Sequence, residues 1–143
     1  MKILVINGPN LNMLGKRQPE IYGNEDLESI IIDLKSYASN YSINITAFQS
    51  NHEGEIVDLI QESENAYDGL IINPGALSHY SISIRDAISA VSIRVVEVHI
   101  SNIFAREDFR QHSVISDVSD SSVIGLGTKG YKLALNNFIT FEE

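Results

Sequence analysis

The chain has 143 residues, 43% hydrophobic and 20% charged, which suits one soluble globular domain able to bury a full core. A net charge of −9 and a pI near 4.8 exclude general nucleic-acid binding, which needs a basic surface, but not a small anion held by a few local arginines. There is no cysteine, so no disulfide, thiolate metal site or thiol nucleophile; no stretch approaches a membrane span, and the first apolar run ends at Asn7, too short for a signal-peptide core, so a cytoplasmic protein is expected.

Lys2 to Asn7 reads as a short buried strand. The connector that follows, Gly8 to Gly23, far exceeds the roughly 2–6 residues of an ordinary strand-to-helix turn. It carries Pro9 and Pro19, three glycines, Arg17 and Tyr22. Its later part, about 15–24, reads as a lid or binding loop. A surface loop with a packed tyrosine and a solvated arginine fits the same residues.

Asn24 suits a helix N-cap, with Glu25, Asp26 and Glu28 placed where carboxylates favour the helix dipole. Leu27, Ile30, Ile31, Leu34 and Ala38 repeat at three and four, predicting an amphipathic helix from Glu25 to Asn40. A second strand is expected over Ile43 to Gln49 and a helix over Glu55 to Asn65, with Ile56, Leu59 and Ile60 inward. Asp68 to Asn73 reads as a third strand, broken at Pro74-Gly75, with His79 closing the loop. Ser81 to Val91 is helical in pattern, with Ile82, Ile84 and Ile88 available for burial. Ile93 to Ile100 is the fourth strand, followed by a long connector, Ser101 to Arg110, with one helical turn. Asp117 to Ser122 is a polar connector, Ser122 to Leu126 a short fifth strand, and Lys129 to Phe138 a last helix carrying Tyr131, Leu133, Leu135 and Phe138.

Strands alternating with helices predict an α/β protein: a flavodoxin-like, doubly wound, five-stranded parallel sheet with helices on both faces. Ligands in such sheets bind outside the carboxyl ends of the strands, at the switch point. The unusual polar residues fall at those ends: Asn10 after the first strand, Asn51 and His52 after the second, Asn73 and His79 after the third, and Glu97, His99 and Ser101 at the fourth. Period-two alternation puts Glu97 and His99 on one face. A carboxylate beside an imidazole fixes its tautomer and raises its basicity, which suits general acid–base work.

Each candidate also has a structural reading. A histidine in a strand is commonly a hydrogen-bonded core group, and His52 sits where a helix cap would. His112 has no supporting context and reads as surface. No two of His52, His79 and His99 have short metal-ligand spacing, so no metal is expected. Asn73 before Pro74 suits a tight turn, yet an amide there also offers a donor and an acceptor to hydroxyls. Arg106 and Arg110, four apart, would share a helical face and grip one anion, or would simply be solvated beside Glu107 and Asp108.

Taken as an ordered set, these stretches resemble type II 3-dehydroquinate dehydratase. The resemblance is carried by Gly8-Pro9-Asn10-Leu11-Asn12, Arg17 to Gly23, Phe48 to Gly54, Asn73 to Ala76, His79-Tyr80-Ser81, Arg85-Asp86-Ala87, Glu97 to Asn102, Arg106 to Arg110, Gly125-Leu126-Gly127 and Gly130-Tyr131. It implies one catalytic domain with no cofactor or metal, acting on a small anionic substrate. The implied reaction is the reversible dehydration of 3-dehydroquinate to 3-dehydroshikimate through an enolate, in aromatic biosynthesis or quinate breakdown.

By the same resemblance, Tyr22 is the base, Arg17 favours its phenolate, Asn10 helps hold a water at the enolate, and His99, oriented by Glu97, is the acid. Asn73, His79 and Arg110 grip ring hydroxyls, Ile100 and Ser101 bind the carboxylate, and Arg106 belongs to the closed-lid environment. Asp86 would reach the site from a neighbouring subunit of a homododecamer built from trimers. Gln18, Leu77 and Phe104 depart from the family pattern, which bears on lid behaviour and inhibitor preference. The competing class is a binding module. A signalling receiver needs an acidic cluster after the first strand, which Asn7 to Asn12 lacks; a flavin carrier would purify yellow. No lysine stands at a strand end for an imine route.

Overall fold

The computed structural model of the chain describes residues 1–16, 20 and 25–140. Five strands form one all-parallel sheet in the order β2-β1-β3-β4-β5. They are β1 (Lys2–Asn7), β2 (Asn44–Gln49), β3 (Gly69–Asn73), β4 (Arg94–His99) and β5 (Ser121–Ile124). Among the described residues, four helices cover it: α1 (Leu27–Ser39), α2 (Glu53–Ala66), α3 (Ile82–Ala90) and α4 (Gly130–Asn136). This is the flavodoxin-like, doubly wound architecture expected from the alternation of elements.

The alternation of strand side chains divides the core in two. Ile3, Val5, Ile71, Val96 and Val98 pack with Ile30, Leu34 and Ala38 of α1 and Tyr131, Ala134 and Leu135 of α4. Leu4, Ile6, Leu70, Ile72 and Val95 pack on the opposite face with Ile56 and Ile60 of α2 and Ile84, Ala87 and Ile88 of α3. The three inner strands are therefore buried on both faces, which is why they read as near-continuous apolar runs. Each fully buried isoleucine contributes about 1.5–3 kcal/mol relative to exposure.

Several boundaries differ from the pattern. Asp26 caps α1, its carboxylate accepting from Ser29 N at 2.8 Å, so the helix starts at Leu27. The expected cap, Asn24, lies outside the described residues. Helix α2 starts at Glu53, earlier than its apolar period, with His52 as its N-cap; just before it, Ser50 Oγ accepts from His52 N at 3.0 Å and donates to Glu55 at 2.6 Å. The final helix is shorter than expected: Lys129 belongs to a separate 3₁₀ turn, Gly127–Lys129, and the helix ends at Asn136 rather than Phe138. Ile82, available for burial in the pattern, is exposed, as is Leu133. Ser101 to Arg110 holds two 3₁₀ turns, Ile103–Ala105 and Asp108–Arg110, rather than one helical turn. A further 3₁₀ turn, Ser116–Val118, occupies part of the expected polar connector.

The chain connections leave the sheet in opposite directions from β1 and β3, so the switch point lies between them. There the two following loops touch. Gly8 N donates to Asn73 O at 2.8 Å, and a Cβ on Gly8 would lie 2.4 Å from the Pro74 carbonyl oxygen. Gly75 closes the same junction at φ +59, a left-handed conformation natural to glycine.

This junction sets a contrast between two glycines. Gly8→Ala should cost about 1–3 kcal/mol through overpacking against backbone that cannot step aside. Gly54, in α2 with no heavy atom near its absent Cβ, should gain about 0.4–1 kcal/mol on Gly54→Ala. Urea unfolding of both variants checks this, and equal effects would remove the argument from close approach.

Candidate active site

A cavity of about 130 Å³ opens at the carboxyl ends of β1, β3 and β4. Its wall is built from three loops: Pro9, Asn10, Leu11 and Leu14 after β1; Asn73, Gly75 and Ala76 after β3; and His99 to Ser101, Ile103, Arg106 and Arg110 after β4.

The loop after β1 turns immediately. Asn10 takes φ 69, a left-handed conformation that asparagine tolerates better than most residues, and opens a 3₁₀ turn over Leu11–Met13. Asn51, after β2, fixes that turn by accepting from Asn10 N at 3.0 Å. Leu11 and Leu14 then point inward as the cavity's apolar floor.

Asn73 is buried at the end of β3 and its amide is held from both sides. Its Nδ2 donates to Tyr131 Oη at 3.0 Å and its Oδ1 accepts from Gly75 N at 3.2 Å. Tyr131, wholly buried on α4, donates onward to Asn7 Oδ1 at 2.5 Å. Burial pushes the Tyr131 phenol well above its ordinary range, offset only in part by Asn73, so it stays a neutral donor.

Glu97 and His99 meet on one face of β4, with His99 Nε2 2.5 Å from Glu97 Oε1. Glu97 has no exposed surface and His99 almost none. Burial raises the Glu97 carboxyl, but the hydrogen bond and charge of His99 and the hydroxyls of Ser116 and Ser113 outweigh it, and the group is held below its ordinary value. An ionised carboxylate only accepts, so Nε2 carries its proton toward Glu97, and Nδ1 is the nitrogen left to exchange one.

His79 stacks on His99 with centroids 6.4 Å apart, and its Nδ1 lies 2.9 Å from the His112 carbonyl. Burial lowers its proton affinity first; the His112 carbonyl opposes this, and His99, Arg110 and Arg106 add repulsion, leaving it below the ordinary 6.5. Arg106 and Arg110 both line the cavity, although no helix joins them: one follows the first 3₁₀ turn and the other closes the second. Glu107 forms an ion pair with Arg110 Nε at 2.8 Å and lies 3.9 Å from Arg106.

The sequence-predicted residues thus separate. Asn10, Asn73, His99, Ile100, Ser101, Arg106 and Arg110 share one wall, with Glu97 and His79 directly behind His99. Asp86 is exposed on α3, away from the cavity. Arg17, Gln18 and Tyr22 lie outside the described residues, as does most of the expected lid. Leu77 is buried in the α2/α3 face of the core, while Phe104 is exposed. Sequence reasoning missed Leu11, Leu14 and Ile103 as cavity lining, Tyr131 behind Asn73, and the serines on Glu97. Only Leu11 and Leu14, three apart, carried a local signal. Among the described residues no group of three or more histidines and carboxylates suits a metal, and no helix is long and apolar enough to cross a membrane.

Both His79 and Glu97 are held below their ordinary values in the folded protein, so the unfolded chain binds those protons first and stability falls with falling pH. The His79 contribution is lost from about 6.5 downward and that of Glu97 from about 4.5 downward. In urea titrations across that range, Glu97→Gln should flatten the lower loss and His79→Asn the upper one. Profiles for wild type and Glu97→Gln that run parallel below about pH 4.5 would contradict the assignment.

Comparison with known proteins points one way. The family model described as dehydroquinase class II matches residues 1–139. The chain is 52% identical over 137 residues to the 3-dehydroquinate dehydratase of Bacillus subtilis (strain 168), covering 96% of this chain and 93% of that one. It is 55% identical over 141 residues to the 3-dehydroquinate dehydratase of Prochlorococcus marinus (strain MIT 9301), covering 99% and 96%. The crystal structure of type II dehydroquinase from Butyrivibrio crossotus superposes with a TM-score of 0.94 at 51% identity, covering 96% of each chain.

Proposed function

Because the chain belongs to the class II dehydroquinase family, we propose that it dehydrates 3-dehydroquinate to 3-dehydroshikimate, using the cavity at the ends of β1, β3 and β4. The observation that carries the reading is a buried Glu97–His99 pair on a cavity wall that also presents two arginines and a fixed amide.

The reaction removes a proton beside the ketone, gives an enolate, and expels the β-hydroxyl as water. Tyr22 is the base. A free tyrosine, with pKa of about 10, is too weakly ionised at neutral pH, and Arg17, five residues earlier on the same loop, favours its phenolate. Asn10, at the mouth of the β1 loop, helps hold a water that donates to the enolate oxygen. His99 gives its Nδ1 proton to the departing hydroxyl while Glu97 keeps the imidazolium oriented and charge-balanced.

Asn73, His79 and Arg110 hold the ring hydroxyls. The amide of Asn73 has a fixed direction, so its remaining donor and acceptor sites are presented in one sense. Ile100 and Ser101 bind the carboxylate, with Arg106 adding positive charge. The residues about 15–24 close over the substrate as a lid, within a single catalytic domain, and no cofactor takes part. The enzyme works in the cytoplasm.

Addition of 3-dehydroquinate should produce the ultraviolet absorbance of a conjugated enone acid. His99→Ala should lose ~10²–10⁴-fold in rate. Tyr22→Phe should also stop hydrogen exchange at the substrate's α-carbon while leaving binding largely intact. No absorbance change with folded wild-type protein would overturn the function. Exchange at the wild-type rate in Tyr22→Phe would move the base elsewhere.

Assembly completes the proposal. Asp86 is exposed on α3 and supplies a carboxylate to a neighbouring subunit's site in a homododecamer built from trimers. Asp86→Ala should then reduce activity without lowering subunit stability. A fully active monomer in sedimentation would refute the arrangement.

A further inference from the structure

The chemistry ascribed to His99 depends on a carboxylate that has been taken entirely out of water. Glu97 is wholly buried, yet both of its oxygens are occupied. Oε1 accepts from His99 and from Ser113 Oγ at 2.7 Å. Oε2 accepts a short hydrogen bond from Ser116 Oγ and another from Ser122 Oγ at 3.1 Å. Three hydroxyls therefore converge on one carboxylate, two of them from a single connector.

That connector is itself firmly anchored. Ile115, between the two serines, is fully buried in the α2/α3 face of the core. Val114 N donates to Ser78 O at 2.7 Å, and Arg85 of α3 donates to Val114 O at 2.7 Å and pairs with Asp117. Ser113 Oγ also accepts from Ile115 N at 3.3 Å, which fixes the direction of its hydroxyl. Upstream, the same connector carries Arg106 and Arg110 into the cavity.

We propose that Ser113 and Ser116 are positioning residues for the dehydration: they clamp Glu97 as an oriented, charged carboxylate and through it keep His99 competent as the acid. This deepens, and rests on, the reading of His99 as the group that protonates the departing hydroxyl. A hydroxyl donating to a carboxylate favours its ionised form, so each lost hydroxyl lets a proton return to Glu97 at higher pH. The other ionisable groups facing the pair are His79 across the His99 ring, and Arg106 and Arg110 across the cavity. From the neighbouring strands, β3 brings the neutral Asn73 and β5 the neutral Ser122. Ser116 shares Oε2 only with the neutral Ser122 among the described residues, and Ser113 shares Oε1 with His99, so removal of either hydroxyl should be felt at the carboxylate.

Carbon-13 NMR of protein labelled at the glutamate carboxyl carbon reads this directly, with Glu97→Gln assigning the resonance. Ser113→Ala and Ser116→Ala should each move the Glu97 titration to higher pH, and the double variant further. The acid limb of the kcat profile should move the same way, with KM at neutral pH unchanged. Ser116→Thr, which keeps a hydroxyl, should restore the wild-type midpoint. Ser122→Ala, acting from β5, gives an independent upward shift should the double variant not fold. An unmoved midpoint in folded Ser113→Ala and Ser116→Ala would overturn the proposal, as would a raised KM with unchanged kcat. The midpoint is measured without substrate, so a failure of His99 as the acid, seen as retained turnover in His99→Ala, remains distinguishable from a failure of the clamp.

Discussion

A negative charge with no exposed surface is the constraint around which one side of this molecule is arranged. An isolated buried carboxylate would protonate rather than remain charged, because the cost of desolvation is many kcal/mol. Glu97 stays charged because four donors reach it: His99 from its own strand, Ser122 from β5, and Ser113 and Ser116 from the connector between β4 and β5. To deliver those two serines the connector must fold back over the sheet, and that path carries Arg106 and Arg110 to the cavity wall. It also brings the His112 carbonyl to His79. Two of the donors to the charge, the His79 contact and the cationic wall thus follow from one chain path.

The other side of the cavity depends on a steric constraint. At the switch point the loops after β1 and β3 approach until backbone touches backbone, which is possible only because residue 8 has no side chain. Asn73 leaves β3 at that junction with its amide tied to Gly75 in front and Tyr131 behind. Asn7 and Asn73 are paired in register on adjacent strands, and Tyr131 bridges both from α4. A polar cluster under the apolar face of the sheet thereby orients a group at its rim, and the amide need not search for its direction when a ligand arrives.

Electrostatically the molecule and its site have opposite characters. The chain carries −9 overall, yet the cavity gathers two arginines and the His99 imidazole. Screening over about 8 Å at physiological ionic strength separates these scales, so the distant acidic surface does little to a charge inside the cavity. Glu107, paired with Arg110, tempers the local positive field without neutralising both arginines. Cations, a fixed amide and an imidazole thus share one enclosure on a chain that is acidic overall.

The sequence by itself determined the order of strands and helices, the two-faced burial of the inner strands, and the shared face of Glu97 and His99. Those follow from periodicities of two and about 3.6, which act between residues a few positions apart. It also carried the ordered motifs that identify the family. It did not reveal the limits of α1 and α2: the Asp26 side-chain cap sets the start of α1, and α2 begins after His52, ahead of its apolar period. Nor did it reveal that Arg106 and Arg110 converge through two tight turns, because helical spacing suggested a simpler route. Only the tertiary structure decided what surrounds the functional groups. Ser113, Ser116 and Ser122 lie 16, 19 and 25 residues from Glu97, and Tyr131 lies 124 residues from Asn7. A serine or tyrosine carries no local mark of such a partner: the pairing exists only once the sheet has closed its register and burial has removed water as the competing hydrogen-bond partner.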